Sequence, residues 1–131
     1  MANPTYPADL LYHPEHDWAR IDPAHPDEAT FGITWYAQDS LGEVVSFEAP
    51  QVGTQINKGA RYTEVESVKA VTDIIGPLSG EIIAVNEALA DSPDAINDDP
   101  YGDGWLVKVK LSEPSEQEAL LDSAAYEATL S

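Results

Sequence analysis

The chain of 131 residues contains no cysteine, six lysine and arginine residues and one methionine. Without cysteine it cannot form disulfides, thiolate nucleophiles or cysteine-based zinc sites. Its 24 acidic residues give a net charge of −18 at pH 7 and a pI near 4.1. Such a surface repels the phosphates of nucleic acids and anionic lipids, which argues against either as a partner. The acidity favours solubility, a saline cytoplasm or a basic partner.

Long apolar runs are also absent. No stretch approaches the roughly 20 apolar residues that cross a bilayer. Residues 1–11 have neither the basic start nor the long apolar segment of a secretory signal, and they lack the arginine and serine content of a transit peptide. We therefore expect a cytoplasmic protein of bacterial or archaeal type.

The apolar residues occur in short alternating runs bounded by glycine and proline, which predicts a mainly β fold. The length is typical of one domain. We expect a single domain over residues 1–131, with its core in about 10–111 and a C-terminal helix over about 115–130. The predicted strands cover residues 10–12, 18–21, 30–33, 43–47, 62–66, 70–75, 81–85 and 105–111.

Local signals predict where helices and loops lie. Thr34 is a good N-cap for a helix that ends before Gly42. Residues 22–28 contain two prolines and three acids, which predicts a loop. Ser115 and Glu118 have capping-box spacing at the start of the C-terminal helix. That helix would present an apolar stripe of Leu120, Leu121, Ala124, Ala125 and Ala128.

One lysine stands out by its position. The alternating runs 62–66 and 70–75, joined by residues 67–69, predict a β-hairpin. Lys69 would lie at its tip, where an exposed amine is accessible to a modifying enzyme. By contrast, Lys58 precedes a turn glycine, and Lys108 and Lys110 share one strand face, which are ordinary places for surface lysines.

The residues around Lys69, Glu66-Ser67-Val68-Lys69-Ala70, resemble the lipoyl-attachment motif of the H protein of the glycine cleavage system. The likeness runs in order along most of the chain, from about Leu11 to Leu111. It includes residues 16–18, 32–34, 37–38, 41–45, 77–82, 85–86, 92–93, 97, 100–101 and 104–105.

This resemblance implies the hybrid sandwich or flattened barrel of lipoyl domains, with antiparallel strands, short helices and a C-terminal helix. It implies lipoic acid in amide linkage to Lys69, attached by lipoate-attaching enzymes. The chain would then be a carrier without catalytic residues, because the cofactor supplies the chemistry. It would take an aminomethyl group from a pyridoxal-phosphate glycine decarboxylase to a tetrahydrofolate-dependent aminomethyltransferase. A dihydrolipoamide dehydrogenase would then reoxidise it.

Three acids match family positions that line the groove for the loaded arm: Glu15, Asp17 and Asp73. We expect their carboxylates to bind the cationic amine of the cargo through charge-assisted hydrogen bonds. Asp73 is the foremost candidate because it follows Lys69 on the second strand of the hairpin. Two positions depart from the family pattern. Trp35 replaces an acid, and Ser40 stands where some relatives have a histidine.

Other functions remain open at this point. A related lipoyl relay, which passes lipoyl groups to other proteins, would have the same motif. A biotinyl domain is disfavoured, because methionines typically flank its lysine and here Val68 and Ala70 do. Residues 13–17 contain two histidines and two carboxylates, which suggests a metal site. However, Pro14 stiffens that segment, and strand alternation would place its histidines on opposite faces.

Overall fold

Nine β-strands form two antiparallel sheets in the computed structural model, which describes residues 5–130. The strands are β1 (Leu11–His13), β2 (Asp17–Asp22), β3 (His25–Ile33), β4 (Val44–Phe47), β5 (Gln55–Ile56), β6 (Arg61–Ser67), β7 (Val71–Ile75), β8 (Gly80–Val85) and β9 (Val107–Leu111). The larger sheet has the order β1-β2-β3-β9-β8-β5, and the smaller has the order β4-β6-β7. The predicted mainly β fold of antiparallel strands is confirmed. Neither sheet closes on itself, so the two sheets are open layers.

The described residues form three short α-helices: α1 (Trp35–Leu41) between β3 and β4, α2 (Ala95–Asp98) between β8 and β9, and α3 (Ser123–Thr129) after β9. Two 3₁₀ segments, Glu87–Ala90 and Pro114–Ala119, complete the helical elements of the described residues. Thr34 caps α1 as predicted, since its hydroxyl accepts a hydrogen bond from the Ala37 amide. No helix within residues 5–130 is long and apolar enough to span a membrane.

The loop predicted over residues 22–28 is wrong, because β3 begins at His25. Asp22 pairs with His25, but the next pair along the ladder is Ile21 with Ala29. The intervening residues of β3 form a bulge, where Pro26 does not have to supply a ladder hydrogen bond. A tight hairpin therefore replaces the loop.

The continuous helix predicted over residues 115–130 is also wrong. The 3₁₀ segment is followed by Leu121, which exchanges two backbone hydrogen bonds of 2.8 Å with Tyr12. That pairing requires extended backbone, which separates the 3₁₀ segment from α3. Asp122, rather than Ser115, caps α3 through its carboxylate.

The buried residue of α3 is Tyr126, whereas the predicted stripe residues Ala124, Ala125 and Ala128 are exposed. Tyr126 belongs to an aromatic cluster at the outer end of the larger sheet, apart from the main core between the sheets. Its ring stacks on Tyr12, with centroids 4.8 Å apart. The C-terminal helix is thus held by an aromatic contact rather than by small aliphatic side chains.

Trp18, another member of this aromatic cluster, connects β2 to the end of β3. Its fully buried indole donates to the carbonyl oxygens of Ile33 and Pro100, both at 3.0 Å. Gly32 lies against the ring, and a Cβ at that position would be 2.5 Å from Trp18 Cε2. This packing fixes β2 against β3 and thereby fixes Asp17, the residue that precedes the tryptophan.

Candidate functional site

Lys69 is exposed at the tip of the β6–β7 hairpin, as the sequence predicts. The buried Ser67 hydroxyl accepts hydrogen bonds from the backbone amides of Lys69 at 3.3 Å and Ala70 at 3.1 Å. The Ser67 amide donates to the Ala70 carbonyl at 2.7 Å. The Val68 amide donates to the Glu43 carbonyl at 3.0 Å. The tip backbone is therefore fixed, while the lysine side chain extends from it.

A glycine lies directly beside the lysine side chain. A Cβ on Gly42 would be 3.6 Å from Lys69 Cε, and Gly42 has a positive φ of 77°. The Asn97 side chain donates to the Gly42 carbonyl at 2.7 Å and accepts from the Val44 amide at 2.9 Å. This asparagine of α2 therefore holds the segment against which the hairpin tip packs. In the sequence, Asn97 is noted only as one of the residues that carry the family resemblance. Nothing in the sequence indicates this contact.

A pocket of about 210 Å³ lies next to the hairpin, between β7, α1 and the start of β2. Its lining brings together the three acids singled out from the sequence, Glu15, Asp17 and Asp73. Ala70 and Ser40 also line it. Trp35, the other departure from the family pattern, packs instead in the aromatic cluster. The pocket therefore adjoins the lysine through the residue that follows it.

Asp17 is the unusual acid of this pocket. Its side chain is only 3% exposed, and its Oδ2 atom has no hydrogen-bond partner among the described residues. Burial, and then the charge of Glu15, raises the pKa of Asp17 well above its usual range. The buried Tyr62 hydroxyl also has no hydrogen-bond partner within residues 5–130, and burial followed by the charge of Asp17 raises the pKa of Tyr62. A cation or hydrogen-bond donor entering the pocket would compensate this carboxylate.

We expect Asp17→Asn to change how stability depends on pH. An acid with a higher pKa in the folded state holds its proton more tightly there, so folding loses stability as pH rises from the ordinary value of 3.8 towards the raised pKa. The variant lacks this loss. Its unfolding free energy relative to wild type should therefore increase as the pH rises above about 4. Chemical denaturation across this range measures it, and a difference that does not vary with pH would contradict the account.

Asp73 is less available than the sequence suggests. Its carboxylate accepts a hydrogen bond of 3.0 Å from Arg61 Nε, and its side chain is 66% exposed. Arg61 also pairs with Glu48 at 3.1 Å and with Glu64 at 3.2 Å. Among the described residues, Asp73 therefore already has a charged partner, whereas Asp17 Oδ2 has no hydrogen-bond partner. Sequence reasoning missed Arg61, because its contacts depend on the strand register.

His16 and Tyr126 form part of the support for this pocket. His16 Nδ1 lies 2.7 Å from the Tyr126 hydroxyl, which lies 2.8 Å from the Thr34 hydroxyl. Burial lowers the pKa of His16, and its ring lies 4.5 Å from that of Tyr36. The C-terminal helix thereby holds one wall of the pocket, a function that the sequence did not reveal.

The metal site suggested for residues 13–17 does not assemble. His13 Nδ1 accepts a hydrogen bond from the Glu15 amide, and His16 Nδ1 contacts Tyr126. Within residues 5–130, three candidate ligands come within 4.8 Å of one another only at Asp22, His25 and Glu28 in the β2–β3 hairpin. That group includes none of the residues in the suggested segment.

Comparisons of the sequence and the structure with known proteins all match the chain to one family. The sequence model of the family "Glycine cleavage H-protein" matches residues 10–131. A glycine cleavage system H protein from Symbiobacterium thermophilum is 48% identical over 98% of this chain and 96% of its own length. One from Klebsiella pneumoniae is 50% identical over 95% of each chain. The crystal structure of a glycine cleavage system H protein from Mycobacterium marinum is 39% identical, with a TM-score of 0.84 over 95% of this chain and 98% of that one. The chain belongs to the glycine cleavage H-protein family, the carrier component of that multienzyme system.

Proposed function

We propose that this carrier holds lipoic acid in amide linkage to Lys69 and shelters its cargo in the pocket beside the hairpin. The family carries lipoate. The observation that supports the proposal most strongly is the position of Lys69 on a fixed, exposed tip next to that pocket. Within the described part of the chain, the Lys69 amine forms no ion pair that would hold it back. Ser67 supports attachment by holding the tip backbone in one conformation.

The residues present fit such an arm. Gly42 has no side chain to obstruct the lysine beside it. The pocket combines apolar side chains, such as Ile33 and Leu41, with the orphaned carboxylate of Asp17. When bound, the lipoyl group would supply a reversible dithiolane and a sulfur that bears the aminomethyl cargo. The protein would supply the attachment point and the surroundings of that cargo.

Asp17 and Glu15 would act on the amine of the cargo. A carboxylate at hydrogen-bond distance favours the protonated amine, because charge-assisted bonds are stronger than neutral ones. Protonation occupies the lone pair that would otherwise expel the sulfur and release the cargo early. Asp17 is buried, so little water reaches the surroundings of its carboxylate. Asp73 takes second place, since Arg61 already pairs with it.

The partners in this proposal are a pyridoxal-phosphate glycine decarboxylase, a tetrahydrofolate-dependent aminomethyltransferase and a dihydrolipoamide dehydrogenase. Enzymes that attach lipoate to Lys69 precede them. We place this cycle in the cytoplasm, in line with the bacterial relatives. The family membership supports the system as a whole, and the acidic surface of the chain would favour basic docking sites on its partners.

We expect Asp17→Asn and Glu15→Gln to shorten the lifetime of the aminomethyl-loaded protein when transferase and folate are absent. Loss of one charge-assisted bond, worth about 1.5–3 kcal/mol, corresponds to roughly a tenfold change or more. Release of formaldehyde from the loaded protein measures the lifetime. Glu81→Gln, an exposed acid on β8, is the matched control and should leave it unchanged. Equal lifetimes for wild type, both pocket variants and their double would remove these acids from the proposed function.

A further inference from the structure

Two walls of the pocket are linked by one hydroxyl group, that of Tyr126 in α3. One wall is formed by residues 15–17, in the turn between β1 and β2 and at the start of β2. The other wall is α1, which contributes four lining residues: Tyr36, Ala37, Ser40 and Leu41. The Tyr126 oxygen lies 2.7 Å from His16 Nδ1 and 2.8 Å from the hydroxyl of Thr34, the N-cap of α1. A side chain of the C-terminal helix therefore fixes the two walls relative to each other.

The backbone at His16 has a conformation that needs such support. Its φ is 74°, and within residues 5–130 no other residue except glycine has a positive φ. A side chain is crowded in this left-handed region, so contacts from the rest of the chain must hold the residue there. The His16 amide donates to the His13 carbonyl at 2.9 Å, and the His16 carbonyl accepts from the Thr34 amide at 3.1 Å. The contact between the imidazole and Tyr126 adds side-chain support to these two backbone bonds.

The conformation of His16 decides how two neighbouring carboxylates are directed. Glu15 and Asp17 lie on either side of His16 in the chain, and both line the pocket. Rotation about the His16 N–Cα bond would turn Glu15 relative to Asp17, because φ is one of the two soft torsions of a residue. The two carboxylates would then no longer converge on one amine.

We propose that Tyr126 is a positioning residue for the cargo. Its hydroxyl holds His16 and Thr34 together and so keeps Glu15 and Asp17 directed at the cargo amine. Tyr126 does not line the pocket, so it acts through His16 rather than on the cargo itself. This inference rests on the proposed function, in which the two acids bind the protonated amine.

The ring and the hydroxyl of Tyr126 can be separated by substitution. The buried ring stacks on Tyr12, with centroids 4.8 Å apart, and meets the edge of Tyr6 at 5.5 Å. These contacts hold α3 on the larger sheet. Phenylalanine keeps the ring and removes only the hydroxyl, so Tyr126→Phe should release the two walls while α3 stays in place.

Tyr12→Phe is the matched control for the loss of a buried tyrosine hydroxyl. Tyr12 belongs to the same aromatic cluster and is as fully buried as Tyr126. Its hydroxyl donates to the Pro7 carbonyl at 2.7 Å, and neither residue lines the pocket. The two variants therefore lose comparable groups, but only Tyr126→Phe loses the link between the walls.

The first measurement is amide hydrogen exchange in the unlipoylated chain. The amides of His16 and Thr34 report on the link, and those of β9, which pairs with a strand on each side, report on global unfolding. Relative to β9, exchange at His16 and Thr34 should become about two- to tenfold faster in Tyr126→Phe, as expected for the loss of a neutral hydrogen bond. Tyr12→Phe should leave this ratio at the wild-type value.

The second measurement is the lifetime of the aminomethyl-loaded protein without transferase and folate. Tyr126→Phe should shorten this lifetime about two- to tenfold, whereas Tyr12→Phe should match wild type. In a chain that already contains Glu15→Gln and Asp17→Asn, Tyr126→Phe should have no further effect, because it acts through these acids. A general loss of stability would instead shorten the lifetime in both backgrounds.

The outcomes distinguish this inference from the proposed function. Wild-type exchange ratios or a wild-type lifetime in Tyr126→Phe, with short lifetimes in the acid variants, would overturn the positioning role and leave the proposed function standing. An effect of Tyr126→Phe that persists undiminished in the chain without the two acids would also overturn the positioning role. Wild-type lifetimes in the acid variants themselves would overturn both.

Discussion

Lys69→Arg is expected to abolish lipoylation and, with it, carriage of the aminomethyl group. Arginine preserves the charge and most of the length of the side chain, but its guanidinium stays protonated and is not an acyl acceptor. Lys69 is exposed and forms no ion pair within the described residues, so the loss should be chemical rather than structural. Intact mass after ligase treatment, and glycine decarboxylation in the reconstituted system, measure the two effects.

The matched control is Lys58→Arg, a half-buried lysine that forms a β-bridge with Gly76, and this variant should be lipoylated and active like wild type. The unfolding free energy of both variants should lie within about 0.5 kcal/mol of wild type, as for most surface substitutions. Carrier activity that persists in the Lys69→Arg variant would contradict the assignment of the arm to this residue.

Trp18→Ala is expected to cause the largest loss of stability, about 3–5 kcal/mol of unfolding free energy. The substitution removes a fully buried indole and two hydrogen bonds that connect β2 to Ile33 and Pro100. It also leaves a void above Gly32, which packs against the ring. Since typical domains are stable by about 5–15 kcal/mol, much of the margin would be lost. Denaturant unfolding monitored by circular dichroism measures this change.

Two comparisons sharpen the tryptophan experiment. Trp105→Ala removes a half-buried ring near Lys108 and should cost clearly less. Trp18→Phe keeps part of the ring but neither hydrogen bond, and should fall between wild type and alanine. If the Trp18 and Trp105 alanine variants were equally stable, the description of Trp18 as the connection between these strands would be wrong.

The lysine hairpin could be predicted from the sequence because its signals are local. Alternation in residues 62–66 and 70–75 specifies which side chains face the core, and the short connection between them limits the turn. Lys69 follows as the tip residue without knowledge of any distant contact. The same holds for Thr34, whose capping bond involves a residue three positions along the chain.

The failed predictions depend on contacts between distant parts of the chain. The C-terminal helix breaks because Leu121 pairs with Tyr12, which no local propensity can show. Helix propensities are small per residue, and such tertiary pairing overrides them. In the same way, the pairing of Asp73 with Arg61 depends on the β6–β7 register. The ranking of the pocket acids therefore changes once the structure is known.

The most direct test of the central claim is peptide mapping of the wild-type chain after treatment with lipoate and a lipoate ligase. We expect one lipoyl group per chain, on the peptide that contains Lys69, and unmodified peptides for Lys58, Lys108 and Lys110. The lysine at the fixed hairpin tip beside the pocket would then be the attachment point of the carrier arm. A lipoyl group on any other lysine, or none on Lys69, would contradict the account.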